Sequence, residues 1–304
     1  MADAFPKAAG VAVIPCFNEG RNPIDTCSAV LSVPGLHAIF VDDASEGESR
    51  DVLQSLARTD ARVTVVRNAT RVGKVASLLN AMRSLTAMRH VLLLDCDVVV
   101  EGAVLQRVLD ELRSADLVLV NAVAMPRPRT LWQRGAIFSA RRHERLRSTA
   151  IARYPALCSN GRLLGMSRRL MEAILQSDVP RHTEDAHFML VCLAKDFAYS
   201  YLADARIEYR APETLRDYLR QSNRFSEGRS LLLERWPAKT LARYYDPRPG
   251  DLAGTFFAEA VADPAGAAAF LAMLAAKALQ PRPARSQQGA WAVAGSTKSL
   301  RDVR

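Results

Sequence analysis

Asp95-Cys96-Asp97 sets two carboxylates two residues apart at the end of an apolar run, His90 to Leu94. On a strand, residues i and i+2 face the same side, so this pair can share one hard cation. A Mg²⁺ or Mn²⁺ held there would neutralise a diphosphate; a solvated turn has the same spacing without any chemistry. A second acidic pair, Asp42-Asp43, ends the run His37 to Val41. A carboxylate at Asp42 can accept from uracil N3–H or from ribose hydroxyls. Adenine offers it no such donor, so uridine suits it better than ATP. Thr183-Glu184-Asp185-Ala186-His187 opens a helical stretch. One of its acids can serve as a general base exposed at the helix start. Capping by Thr183 and the helix dipole account for the same acids without catalysis. Gln221 and Arg224 stand at i and i+3, on one helical face, where an amide and a guanidinium can grip a diphosphate. An ordinary polar face has that spacing too. His182 and His187 lie close enough to Asp185 to be weighed as metal ligands, against plain surface positions.

The elements that must position these residues follow from periodicity. Four short β-rich runs (11–14, 37–41, 62–66 and 90–94) alternate with amphipathic stretches at 21–31, 49–59 and 72–88. A helix at 104–113 and a strand at 117–120 follow. Such alternation specifies an α/β fold, a mostly parallel central sheet with helices on both faces. In sheets of this kind ligands bind outside the carboxyl ends of the strands. The residues ending these strands therefore gather on one rim: Asn18 and Glu19 after Pro15, Asp42 and Asp43, Asn68 and Arg71, Asp95 and Asp97. The second half is less regular. It reads as a basic helix at 131–151, a strand at 163–167, helices at 168–175 and 184–194, strands at 197–201 and 205–209, and a helix from Pro212 towards Trp236.

The chain has 304 residues, with 41 Lys+Arg against 32 Asp+Glu and a net charge of +9. Between Arg127 and Arg169 there are eleven arginines and one acid, Glu144, so this window alone carries the excess. Facing outward, it would meet an anionic acceptor or an anionic membrane surface. Few aromatics are interleaved with it, which argues against nucleic acid. Five cysteines without CxxC spacing suggest free thiols in a reducing compartment. No run approaches the ~18 apolar residues of a membrane span; Gly266 to Ala276 reads as a packed or surface helix. The first residues lack a secretory pattern, so a cytoplasmic location is expected, with peripheral contact at the inner face of the membrane.

In order and spacing, these motifs resemble the family 2 glycosyltransferases, inverting nucleotide-sugar enzymes of the GT-A fold. The matching residues are Val13-Ile14-Pro15-Cys16-Phe17-Asn18-Glu19, Val41-Asp42-Asp43-Ala44-Ser45, Arg71-Val72-Gly73-Lys74, Asp95-Cys96-Asp97, Thr183-Glu184-Asp185, and Gln221-Ser222-Asn223-Arg224-Phe225. The resemblance covers roughly residues 11–230. It implies that Asp42 or Asp43 holds uracil and ribose, with Lys74 near the nucleotide. It makes Asp95 a contact to donor sugar or ribose, Asp97 the ligand of a divalent metal (Mn or Mg), and Asp185 the catalytic base. Gln221 and Arg224 match a QxxRW motif in which Phe225 replaces Trp, so stacking on an acceptor sugar is altered. The substrates implied are a UDP-sugar donor and a hydroxyl acceptor, whether glycan, lipid-linked or small molecule.

On this reading residues 1–10 form an arm, 11–125 the nucleotide-sugar-binding half, and 126–236 the acceptor and catalytic half with the basic segment. Residues 237–280 form a helical extension and 281–304 a disordered tail. Two alternatives stand beside it. A sugar-phosphate nucleotidylyltransferase would need a Gly-rich loop after the first strand, where Pro-Cys-Phe-Asn-Glu stands instead. A non-enzymatic protein binding nucleic acid or an anionic surface would use Arg127–Arg169.

Overall fold

The computed structural model describes residues 10–85, 88–280 and 297–298. Eight strands form one sheet: β1 (Gly10–Cys16), β2 (Leu36–Asp42), β3 (Val63–Arg67), β4 (His90–Leu94), β5 (Val98–Val99), β6 (Leu117–Ala124), β7 (Leu163–Ser167) and β8 (Tyr199–Tyr209). Their order is β3-β2-β1-β4-β7-β6-β8-β5. The β3-β2-β1-β4 block and the β6–β8 pair are parallel, while β7 runs antiparallel to both of its neighbours.

Alternation along β1 shows why the sheet is covered on both sides. Val11 and Val13 pack on one face with Leu78 and Met82 of α3 (Lys74–Arg83), and with α7 (Arg168–Leu175) and α8 (Glu184–Ala194). Ala12 and Ile14 pack on the other with α1 (Asn22–Leu31), α2 (Gly47–Leu56) and α4 (Gly102–Glu111). A strand buried on both faces reads as a continuous apolar run, as β1, β2 and β4 do.

Two features differ from the sequence reading. The runs at 197–201 and 205–209 form one long strand, because β8 follows β6 along its whole length through an irregularity at Val120/Asn121. Val98–Val99 also pairs with β8, a two-residue strand too short to show any periodicity.

The second half adds α5 (Leu131–Ala150), α6 (Pro155–Cys158), α9 (Leu215–Leu233), α10 (Ala238–Tyr244), α11 (Pro249–Ala262) and α12 (Pro264–Ala278). Thr130 caps α5 by accepting from Gln133 N–H at 3.0 Å, and Thr214 caps α9 by accepting from Asp217 N–H at 3.1 Å. Such caps contribute ~1 kcal/mol each. The residues 266–276 lie in α12, and no helix among the described residues is long and apolar enough to cross a membrane. All five cysteines are free and buried. Of the expected arm and tail, residues 1–9, 281–296 and 299–304 lie outside the described residues.

The arginine window does not form an outward cationic face. Seven of its arginines pair with carboxylates among the described residues, all of them from beyond the window. Arg134 and Arg141 meet Asp263, Arg145 meets Glu259 and Arg153 meets Asp251, all from the C-terminal helices. Arg129 reaches Glu213, Arg168 reaches Glu172 and Arg169 reaches Asp116. Arg147 is buried and donates to the Ala122 carbonyl at 2.6 Å. Part of the charge seen in sequence is thus spent on joining α5 to the helices that cover it.

Candidate active site

The rim expected from the strand ends exists as one open cleft. Pro15 lines it at the end of β1 with Phe17 and Glu19 just beyond, Asp43 beyond β2, Arg71 and Gly73 before α3 with Lys74 at its start, and Asp95 and Asp97 beyond β4. Glu184 and Asp185 enter from the start of α8, and Gln221, Arg224 and Phe225 from α9.

At the centre lies Lys74. Its Nζ is 2.7 Å from Asp95 Oδ1 and 3.0 Å from Glu184 Oε1, and donates to the Gly161 carbonyl at 3.1 Å. Burial opposes its charge, yet the two carboxylates win and hold its pKa above the ordinary range. The network separates the adjacent acids of α8. Burial also opposes ionisation of Glu184, but Lys74, with help from a backbone hydrogen bond and Arg224, keeps that carboxyl below its ordinary value. Asp185 has no ion pair among the described residues; burial first, and then the Glu184 charge, push it up to about 7. Two neighbouring carboxyls driven apart in this way suit different roles.

The cation test falls on Asp97. Its carboxylate opens on the cleft and makes no hydrogen bond or ion pair among the described residues. Beside it, burial raises Asp95 to about 6 and Glu19 to about 7, and Asp97 adds to both shifts. Clustered acids with unspent negative charge fit a divalent cation. No set of three His, Cys, Asp or Glu side chains converges on one point among the described residues. A Mg²⁺ or Mn²⁺ that takes one or two carboxylates and completes its shell with phosphate oxygens needs no such set.

Other expected residues are placed differently. Asp42 is buried and does not line the cleft. It accepts from Ser45 N–H at 2.8 Å and pairs with Arg67, so it braces the β2 loop. Asp43 lines the cleft, but its oxygens accept from Val72 and Gly73 N–H, both at 2.8 Å, and from Asn68 at 2.9 Å. That fixes the turn in which Gly73 holds φ 93°, a backbone angle glycine tolerates without strain. Asn18 is exposed outside the cleft and accepts from Glu46 N–H at 3.0 Å. Arg71 lines the cleft with its guanidinium 3.9 Å above the Phe17 ring. Neither histidine joins an acidic cluster: His187 is buried between Ser177 and Trp236, and His182 lies 3.5 Å from Glu227. If Asp42 is a brace, Asp42→Asn lowers Tm by several degrees through loss of the Arg67 pair, while nucleotide affinity stays within about twofold. Differential scanning fluorimetry and calorimetry check the two halves of that expectation.

Thr183 does not cap α8. It sits in the left-handed region at φ 58° and its hydroxyl donates to the His182 carbonyl at 2.5 Å. A β-branched residue there is strained, and α9 presses on it: a Cβ at Gly228 would lie 2.4 Å from Thr183 Cγ2. Gly228→Ala is therefore expected to cost about 1–3 kcal/mol by overpacking and to displace Asp185, lowering Tm and turnover together.

Three contributors were not legible in sequence. Arg162, stacked 3.6 Å from the Tyr209 ring, and Arg210 line the cleft. Lys298 reaches the rim of β1 from the far end of the chain, its ammonium on the Phe17 carbonyl and on Glu19. No local pattern links residue 298 to residue 19.

Known proteins bear on this arrangement. The model of the family described as glycosyltransferase like family 2 matches residues 8–228. An N-acetylglucosaminyltransferase of Bradyrhizobium diazoefficiens is 26% identical over 236 residues, 70% of this chain and 47% of that protein. The chain thus spans about half the length of that curated relative. Among solved structures, a mannosyltransferase from Pyrobaculum calidifontis in complex with GDP-Man and Mn²⁺ superposes with a TM-score of 0.58 at 18% identity, over 91% of this chain and 78% of the other. Glucosyl-3-phosphoglycerate synthase from Mycobacterium tuberculosis, in complex with Mn²⁺, UDP-glucose and phosphoglyceric acid, gives 0.55 at 16% identity, over 77% and 82%. At these identities the likeness concerns the fold, the GT-A arrangement of a mostly parallel sheet between helical layers. With its family model matched across the cleft from β1 to α9, the chain belongs to the glycosyltransferase like family 2.

Proposed function

We propose that the protein is a metal-dependent inverting glycosyltransferase that moves a sugar from a nucleotide sugar to a hydroxyl acceptor. The observation that carries this reading is the split between the acids of α8, Glu184 ionised on Lys74 and Asp185 free and held near 7. A base with that pKa is half deprotonated near neutral pH, where general-base catalysis works best.

In this mechanism Asp185 takes the proton of the acceptor hydroxyl at a carboxylate oxygen. The hydroxyl oxygen bonds to the anomeric carbon as the bond from that carbon to the diphosphate oxygen breaks. The nucleoside diphosphate leaves with that electron pair, opposite the attack, and configuration inverts. Arg224 and Gln221 line the same cleft; in this mechanism their guanidinium and amide stabilise charge growing on the diphosphate. Lys74 holds Asp95 and Glu184 in place. Asp97, with Asp95, would hold Mn²⁺ or Mg²⁺, which supplies positive charge to the leaving diphosphate.

A UDP-sugar remains the donor to test first, although Asp42 no longer supports it. The support is now the UDP-glucose complex of one structural neighbour, and the N-acetylglucosaminyl name of the relative makes that sugar a candidate. The mannosyltransferase, solved with GDP-Man, is the reason to include GDP-sugars. The acceptor is a glycan, a lipid-linked sugar or a small molecule, and Arg162 and Arg210 would suit an anionic group on it. The test is a panel of UDP- and GDP-sugars with Mn²⁺, read by thermal stabilisation and by nucleotide release. Stabilisation by at least one donor is expected; stabilisation by none, with or without metal, refutes the proposal.

A further inference from the structure

The C-terminal helices α11 and α12 carry their polarity inside out. Every ionisable side chain they contain, or that joins them, turns towards the body. Asp251 meets Arg153 and Tyr154, Glu259 meets Arg145, and Asp263 meets Arg134 while capping α12. Lys277 donates to Ser222 and Ser226 of α9. The outer face holds Leu252, Phe257 and Val261 of α11, then Leu271, Leu274 and, just past α12, Leu279, separated by alanines and Gly254. Phe257 is 67% exposed and Val261 87%. Within each helix these positions recur three to five residues apart, giving each an apolar outer stripe with no charge and no side-chain hydrogen-bonding group.

A half-buried cation of α5 lies at the edge where α11 and α12 meet the body. Arg142 lies between Phe256 and Phe270, its guanidinium 5.5 and 5.2 Å from the ring centroids, and donates to the Leu252 carbonyl at 3.3 Å. It has no carboxylate within ion-pair distance among the described residues, unlike most arginines of its helix. Exposed Arg248 stands directly before α11, at the positive end of that helix dipole.

We propose that the outer face of α11 and α12 seats the protein on the surface of an anionic lipid bilayer. Helices of 14 and 15 residues lie in such an interface without crossing it. The apolar stripe enters the acyl boundary, and Arg142 and Arg248 meet headgroup phosphates at its edge; the nearest acid, Asp251, is already paired with Arg153. A protein partner fits less well. Specific protein interfaces pair hydrogen-bonding groups around an apolar centre, and this stripe offers none. The docking face is thus the covering of the basic segment, while the segment itself is mostly neutralised beneath it. This inference does not depend on sugar transfer.

The test is cosedimentation of the full chain with vesicles of phosphatidylcholine alone and of phosphatidylcholine mixed with phosphatidylglycerol. Binding is expected to the mixed vesicles and to weaken with salt. The double variant F257D/V261D should lose at least ~10-fold in partitioning, and Arg142→Gln about fivefold. Both aspartates enter exposed positions, so an unchanged circular dichroism spectrum and Tm establish that the double variant folds. No binding to the mixed vesicles, or binding indifferent to the double variant, would overturn the proposal. So would a concentration-dependent dimer that the double variant dissolves without any vesicle binding, since a second copy would then own the face.

Discussion

Asp185→Asn is expected to lower the rate of sugar transfer by about 10³-fold while leaving donor affinity within about twofold. The amide keeps the shape of the side chain and its acceptor oxygen for Ala186 N–H, a bond of 2.9 Å in the native protein. It cannot take a proton. Native turnover should rise with pH up to about 7 and then level off, because the raised carboxyl must be ionised to act. In the variant this limb should disappear. Stability moves the other way. A carboxyl whose folded pKa is raised favours folding below its unfolded pKa, and that contribution is lost as pH rises through about 7. Asp185→Asn should therefore have a higher Tm than the native protein at pH 8, with the difference closing near pH 4. Full transfer by the variant removes Asp185 as the base. Lost transfer with no gain in Tm at pH 8 points to a collapsed site, not a missing base.

The second large effect concerns Asp97, a cleft carboxylate with no hydrogen bond or ion pair among the described residues. Asp97→Ala is expected to reduce transfer by about 10²–10³-fold, the scale for losing electrostatic stabilisation of a leaving group. Calorimetry with UDP present should show Mn²⁺ affinity falling with it. Tm without metal should hold or rise, because the substitution orphans no donor and relieves repulsion on Asp95 and Glu19. Asp95→Ala provides the contrast. It removes a partner 2.7 Å from the buried Lys74 ammonium and should lower Tm as well as rate. Unchanged Mn²⁺ affinity in Asp97→Ala would exclude this residue as a ligand.

The sequence by itself determined the sheet and its rim. Apolar strands ended by polar residues, with helices between them, admit one handedness of connection and one ligand-bearing edge. Glu19, Asp43, Lys74, Asp95 and Asp97 therefore share a cleft for reasons already local in the chain. The α8 acids and the pair Gln221 and Arg224 were legible as motifs. Their meeting with the rim was not, because it depends on Gly228 letting α9 close on Thr183 and on Lys74 bridging two distant segments.

Only the tertiary structure decided what each charge does. Asp42 and Asp43 are adjacent and chemically identical, yet the first braces Arg67 and the second pins the Gly73 turn. Glu184 and Asp185 differ in protonation because only one reaches Lys74. The eleven arginines of the basic window looked like an outward field, since the acids that pair with four of them lie roughly a hundred residues further on, in α11 and at the start of α12. Composition counts charge, but its partner sets its energy. Partners brought together across long sequence separations leave no local trace in the chain.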